Sequence, residues 1–283
     1  MKKAIYYMLI SAVCFTAMNI ILKSLDHFSG PQLVLFRALG SLFFTIPFLW
    51  YHKIPVFGIQ KGLLIARGFA GVTSMGLFFV SISYLPVGSA VSLRYISPIF
   101  ATVFAVFLLK EKVKPIQWLF FVIAFIGVLL AKGFNPQIEG LGLVLVLLSS
   151  VFSGIVYVII NKIGHRDHPV VIVNYFMCIS VLVGGTLAIF NWQTPKDFEW
   201  LILLSLGFFG YFGQLFMTKA FQSQATNKVV ALKYVEVVIT LVAGVLLFGD
   251  SYPWLSLVGI ALILLGLVLN IWFGKRKAVY KKR

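Results

Sequence analysis

Ten runs of about twenty predominantly apolar residues divide this chain almost from end to end. They span 4–23, 31–51, 62–83, 86–109, 115–132, 140–161, 169–190, 199–219, 226–248 and 252–273. At about 1.5 Å of rise per helical residue, each run matches the hydrocarbon thickness of a bilayer. A soluble core cannot absorb so much apolar surface. Of 283 residues, 60% are hydrophobic and 11% charged, where a soluble domain carries about 25% charged residues. High hydrophobicity with low charge also excludes disorder. Pro31, Pro86, Pro115, Pro169 and Pro253 stand at or near run starts, where a missing N–H costs nothing and the fixed φ favours helix entry. The expected fold is all-α and integral to the membrane, with ten transmembrane helices. The first run follows Lys2 and Lys3. It is long enough to span and lacks a small-x-small cleavage site, so it is read as a membrane helix and not a signal peptide. Cys14 and Cys178 lie inside apolar runs and are expected to be buried, inert thiols.

The net charge of +16 comes from 24 basic against 8 acidic residues. In a soluble protein that balance raises the question of nucleic acid; here the basic residues fall between the apolar runs, and no nucleic-acid partner is expected. Ten crossings put both termini on one side. With that side cytoplasmic, the inside set is Lys2, Lys3, Lys53, Lys61, Arg67, Lys110, Lys112, Lys114, Lys162, Arg166, Lys228 and six residues from Lys275 to Arg283, a total of 17. Outside stand 3, Lys23, Lys132 and Lys196, and the other 4, Arg37, Arg94, Lys219 and Lys233, lie within the runs. This asymmetry orients the protein with both termini cytoplasmic, multi-pass in a cell membrane, by analogy the inner membrane of a bacterium.

A shift of 139 residues superimposes the chain on itself. Ser92-Leu93-Arg94-Tyr95 falls on Ala231-Leu232-Lys233-Tyr234, Glu111 on Asp250, Gly127 on Gly266 and Leu130 on Leu269. The same register carries Ile20, Ile21 and Lys23 onto Ile159, Ile160 and Lys162, and Gly68-Phe69 onto Gly207-Phe208. One gapless offset across a five-helix unit marks an internal repeat. A unit with an odd number of crossings must be inverted relative to its copy. The expected division is residues 1–136, residues 137–273, and a basic cytoplasmic tail, 274–283. Inverted repeats are the architecture of secondary transporters, with the site near the midplane. No glycine-rich phosphate loop is present in the sequence, so the chain by itself is not an ATP-driven pump, and no cofactor is expected.

The fourth run, Pro86-Val87-Gly88-Ser89-Ala90 through Tyr95-Ile96-Ser97-Pro98 to Leu108-Leu109-Lys110-Glu111-Lys112, resembles the hallmark of EamA-type drug/metabolite transporters. In that family the fourth helix of the repeat carries a mid-helix proline and ends in a Leu-x-Glu motif before a basic loop. The second copy, Leu232 to Asp250, is similar, with Val237 at the position of Pro98 and Phe248-Gly249-Asp250 for the ending. The resemblance covers nearly the whole chain. It implies a central cavity lined mainly by helices 1, 3, 4, 6, 8 and 9 and the movement of small metabolites, export included.

Ionisable residues inside a membrane cost about 2.5–3.5 kcal/mol at a helix centre and usually face a cavity or a partner. Arg94 lies roughly 12 Å along the fourth helix, and Lys233 is its repeat-related residue. Each is followed by a tyrosine, Tyr95 and Tyr234. The four are candidate substrate-binding residues, with Arg94 offering a planar fork and Lys233 a point charge to an anionic group. Related branches of the family that carry anionic metabolites place basic residues on the same two helices. Glu236, three residues from Lys233, shares its helix face. It neutralises Lys233 until substrate displaces it, carries a proton, or forms a permanent structural pair. Asn19, Tyr157, Gln214 and Asn174 either line the cavity or cross-link helices; the first three complete the candidate binding set. Pro98 is a helix-bend candidate that frees a carbonyl near Arg94. Arg37 and Lys219 are expected to snorkel, and Arg67 to anchor the cytoplasmic side. The loop His165-Arg166-Asp167-His168 supplies no cage for zinc and is read as solvated.

The histidines lie in loops and no acid, base or nucleophile constellation shares one depth, so the chain is read as a transporter and not an enzyme. Its expected substrate is a small, anionic or carboxylate-bearing metabolite moved by alternating access. The rival is an exporter of amino acids or drug-like solutes whose intramembrane basic residues are structural. A homodimer stays open; the bilayer and a small molecule are the expected partners. The charge asymmetry predicts that a reporter fused after Arg283 and a cysteine in the 110–114 loop are both cytoplasmic. Labelling of that loop from outside intact cells overturns the orientation.

Overall fold

The structure, a computed structural model, describes residues 1–25, 27–82, 84–85, 87–132, 140–248 and 253–275. The twelve α-helices among them are α1 (Lys2–Lys23), α2 (Gly30–Tyr51), α3 (Lys61–Ile82), α4 (Val87–Arg94), α5 (Ser97–Leu109) and α6 (Pro115–Lys132) in the first half. The second half holds α7 (Gly140–Ile163), α8 (Pro169–Ala188), α9 (Glu199–Ser223), α10 (Thr226–Val230), α11 (Tyr234–Phe248) and α12 (Trp254–Lys275). The described residues contain no strand. Nine helical stretches among them are long and apolar enough to cross a membrane, and Pro115–Ala131 is a shorter tenth. The protein is an all-helical, multi-pass membrane protein of ten crossings in two inverted five-helix repeats. Residues 249–252, which include Asp250, and 276–283 lie outside the described residues.

The fourth and ninth crossings are broken, at adjacent positions of the repeat. In the first, α4 ends at Arg94 and α5 begins at Ser97. Pro98, at the second position of α5, has no N–H to offer the Arg94 carbonyl, which instead faces the Ser150 hydroxyl of α7 at 3.4 Å. The break lies one turn before the proline, where a missing i→i−4 bond is felt. In the second, α10 passes through a single 3₁₀ turn, Ala231–Lys233, before α11 starts. Val237 stands there in place of the proline, so this half breaks without one. In lipid such interruptions persist only where other groups re-satisfy the freed backbone.

Packing follows the repeat. On α6 and α12, a Cβ at Gly127 would stand 2.7 Å from the Gly259 carbonyl and 2.8 Å from the Ile263 N–H, and one at Gly266 would stand 2.7 Å from the Phe120 carbonyl and 3.0 Å from the Ala124 N–H. Shifting either set of partners by 139 returns the other. The α1–α9 and α3–α7 seams are exchanged in the same way. Ser11 donates to the Gly213 carbonyl at 2.8 Å; in the other seam Ser149, next to the repeat mate Ser150, donates to the carbonyl of Ser74 at 2.7 Å, one residue out of register. The symmetry is imperfect where α2 meets α9. Gly40 and Gly207 are in backbone contact, a Cβ on Gly40 falling 2.8 Å from the Gly207 Cα, whereas the related Gly68 on α3 faces the Ile179 side chain of α8.

Two acidic side chains cap helices on the face where α1 begins and α12 ends, here called the terminal face. Glu111 accepts from the Thr226 and Asn227 N–H groups at 2.6 and 2.9 Å, holding the connection after α5 onto the start of α10. Asp167 accepts from Ile59 and Gln60 at 2.5 and 3.0 Å, just before α3. A carboxylate at a helix N-terminus satisfies orphan N–H groups and meets the positive end of the dipole. Asp167 is buried, so the loop expected to be solvated is a structural clamp. His168 accepts from Val170 to start α8, and burial, with Lys219 and His52 close by, pushes its imidazole below the usual histidine range. Lys219 is half-buried, its ammonium 5.2 Å from the Phe216 ring. Cys14 is partly buried, but Cys178 is exposed on α8 and faces lipid, correcting the expectation of a buried thiol.

A methyl at Gly207 meets the backbone of Gly40 and Ser41, whereas one at Gly68 meets the end of a rotatable side chain. Gly207→Ala is therefore expected to destabilise by about 1–3 kcal/mol and Gly68→Ala by clearly less. Thermal melting in detergent measures both, and equal losses contradict the packing account.

Candidate functional site

The two helix breaks gather the buried charges. Arg94 occupies the last turn of α4, and Lys233 ends the 3₁₀ turn after α10. A cation at a helix C-terminus is favoured by the dipole. Glu236 lies in the first turn of α11, where an anion is favoured. Its carboxylate accepts from the Lys233 ammonium at 2.6 Å, and both side chains are about nine-tenths buried, at 11% and 10% exposure. Lys233 also stands 5.0 Å over the Phe15 ring of α1, and Arg94 4.5 Å over Phe78 of α3. Arg94 lies within electrostatic range of Tyr95, Tyr157 and the Glu236 carboxylate, and Lys233 within range of Tyr157.

Two further cations join this group. Arg37 does not snorkel: its guanidinium turns inward, 5.9 Å from the Phe15 ring and 3.6 Å from the Met75 sulfur. Arg67 is not a surface anchor either. It is 1% exposed, donates to Gln214 at 3.1 Å and lies 4.1 Å over the Phe176 ring. Depth along a helix was a poor guide for these two, because a long side chain reaches a full turn away and the face it leaves from decides its destination. One signal was present. A Cβ at Gly210 would stand 2.9 Å from Arg37 Nε, and one at Gly71 3.0 Å from Arg67 Nη1. These two glycines, themselves 139 apart, leave room for buried heads.

The candidate residues therefore divide. Arg94, Tyr95, Tyr157, Lys233 and Glu236 are brought together, while Gln214 accepts from Arg67. Asn19 is exposed, one turn beyond Phe15 on α1, and makes no hydrogen bond with the charged groups among the described residues. Tyr234 is fully buried, and its hydroxyl has no partner among the described residues. Asn174 accepts from Thr45 at 2.8 Å, a helix cross-link between α8 and α2. The described residues hold no cluster of His, Cys, Asp and Glu fit for a metal ion.

The site is closed on one side. Towards the terminal face, α10 packs on α5, and α7 on α9. Tyr157 stacks on Phe221 with centroids 4.7 Å apart, and Asn161 donates at 2.7 Å to the carbonyls of Phe221 and Gln224. The repeat-related pairs at the distal face, α4 with α11 and α1 with α3, make no comparable packing among the described residues.

Broken helices meeting at buried charges between inverted repeats are the construction of a membrane transporter. The chain belongs to the EamA-like transporter family, which matches residues 2–132 and again residues 140–272. It is 26% identical over 274 residues to the pseudopaline exporter CntI of Pseudomonas aeruginosa, covering 95% of each chain. It is also 26% identical to an S-adenosylmethionine uptake transporter of Rickettsia prowazekii, over 96% of each chain. Human solute carrier family 35 member G1 is 26% identical, over 96% of this chain and 80% of the relative. A solved protein structure shares the fold, with a TM-score of 0.85 at 15% identity over 96% of this chain and 99% of that one. The protein is a transporter of small metabolites and not an enzyme.

Because the Tyr234 hydroxyl is buried without a partner, removing it should relieve a desolvation cost. Tyr234→Phe is expected to exchange substrate within about twofold of the parent and to melt no lower. Loss of transport with unchanged melting places the hydroxyl in contact with substrate after all.

Proposed function

We propose that the protein is a secondary transporter which moves a small, anionic or carboxylate-bearing metabolite by alternating access, with both termini in the cytoplasm. The observation that carries this reading is a charge imbalance. Arg37, Arg67, Arg94 and Lys233 converge between the repeats, and Glu236 is the one carboxylate that meets them among the described residues. Cations gathered in a low-dielectric interior repel one another and lack water. An anionic substrate relieves both costs. It binds Arg94 through the planar fork and takes the place of Glu236 at Lys233, while Tyr95 and Tyr157 border the site.

Alternating access is supported by the unequal packing of the two faces. With the termini cytoplasmic, the clamp of α10 on α5 and the Tyr157–Phe221 stack close the inner side, and the loosely packed distal halves lead outward. Exchanging the conformations of the two repeats closes α4 on α11 and opens the inner side. The expected units, 1–136 and 137–273 with a basic tail 274–283, are the bodies that trade places. Among the relatives one exports and another imports, so the fold serves either direction and gradients decide.

A second reading has its own observation, the 2.6 Å Lys233–Glu236 pair. In it the basic residues are structural, and the substrate is an amino acid or drug-like solute. The two readings part in three variants. If Lys233 binds substrate, Lys233→Gln abolishes exchange while the protein remains folded. Glu236→Gln then preserves or tightens binding, and it retains exchange but loses acceleration by a pH gradient if Glu236 carries a proton. If the pair is structural, each single variant melts lower by leaving a buried charge unpaired and the double variant recovers. Exchange, pH-driven uptake and melting of the three decide, and normal exchange in Lys233→Gln removes that residue from the site.

A further inference from the structure

Arg37 and Arg67 have more hydrogen-bonding capacity than the protein uses. Arg67 is almost wholly buried, yet only its Nη2 has a hydrogen-bond partner among the described residues, Gln214; Nε and Nη1 have none. Arg37 directs Nη1 at the Met75 sulfur and leaves Nε without a partner. Neither guanidinium forms an ion pair with a described carboxylate, and Glu236 is engaged by Lys233. A buried, unpaired charge is among the costlier features a protein can retain.

The two heads are also stacked. Arg37 lies against Gly210 and Met75, and Arg67 against Gly71 and Gln214. Positions 71 and 75 are one turn apart on α3, as are 210 and 214 on α9. The guanidiniums therefore occupy successive turns of one seam, about 5–6 Å apart. Two like-charged forks at that spacing, with unfilled N–H groups, match an anionic oxygen cluster between them. The arrangement is one-sided. The repeat mate of Arg37 is Phe176, which carries the Arg67 head at 4.1 Å, and that of Arg67 is Leu206. An internal duplication alone does not account for it. Phe15, 5.9 Å from Arg37 and 5.0 Å from Lys233, joins this seam to the Arg94–Lys233 site.

We propose that Arg37 and Arg67 form a second anion subsite, and that the substrate is a dianion carrying one anionic group for each subsite. This rests on the reading of Arg94 and Lys233 as a substrate site. Its test compares succinate, adipate and suberate with butyrate, hexanoate and octanoate, using the purified full chain in nanodiscs, with sodium chloride and sodium sulfate as controls. At least one dicarboxylate should bind about tenfold or more tightly than its matched monocarboxylate, as a charged hydrogen bond allows. Arg67→Gln and Arg37→Gln should each lose that advantage and keep monocarboxylate binding. Without ligand, Arg67→Gln should melt at or above the parent, because it removes an unpaired buried charge; a structural guanidinium requires a fall.

Monocarboxylate binding without any dicarboxylate advantage removes the second subsite and leaves the first. An advantage retained in both variants, or stabilisation matched by chloride or sulfate, also overturns it. Failure of both variants to fold identifies the guanidiniums as structural and ends the proposal. No binding by any carboxylate overturns this inference and the reading on which it rests together.

Discussion

In hydrocarbon, a backbone N–H or C=O left without a partner costs several kcal/mol, and nearly everything in this chain follows from that constraint. It makes each apolar run a helix and confines irregular backbone to places that other groups can satisfy. The chain uses that freedom at two breaks in adjacent positions of the repeat, one at Tyr95–Ile96 and one at Ala231–Lys233. One break follows a short helix that ends on Arg94, the other is a 3₁₀ turn that ends on Lys233, and each begins a longer helix in the midst of the molecule. The dipoles thus stabilise Arg94, Lys233 and Glu236 in positions where bilayer thickness alone would forbid them.

The two repeats supply the same scaffold but different chemistry. Their seams exchange under a 139-residue shift down to individual glycine contacts, as Gly127 and Gly266 show. At the site the copies diverge. Glu236 has Ser97 as its mate, Arg67 has Leu206, and Gln214 has Met75. In the proposed mechanism, a symmetric frame with asymmetric contents lets the frame rock while the groups it binds stay distinct. The terminal-face clamps, Glu111 on α10 and Asp167 ahead of α3, use one device at two unrelated registers.

The fold was legible because its signals are long and redundant. Apolar runs, prolines at helix starts and one gapless offset each point to the same ten helices. Arg94, Lys233 and Glu236 were legible as well, since their depth leaves them little choice. Arg37 and Arg67 were misread because snorkelling depends on which face a long side chain leaves from, and depth is silent on that. The break before α11 was hidden because no proline marks it; a 3₁₀ turn leaves no residue signature in Ala231-Leu232-Lys233. Asp167 passed for a solvated loop residue because its partners, the N–H groups of Ile59 and Gln60, lie more than a hundred positions away in the chain.

The contrast between Gly40–Gly207 and Gly68–Ile179 has a mechanical consequence. Where backbone meets backbone, as between α2 and α9, there is nothing compressible, and that diagonal of the molecule acts as a stiff axle. Where a glycine meets the end of an isoleucine, as between α3 and α8, the contact yields by rotation about a single bond. A rocker with one stiff and one compliant bearing does not have two equal end positions. If the repeats rock as proposed, the empty transporter has a resting side set by its own packing, and a substrate gradient works against that bias in one direction and with it in the other.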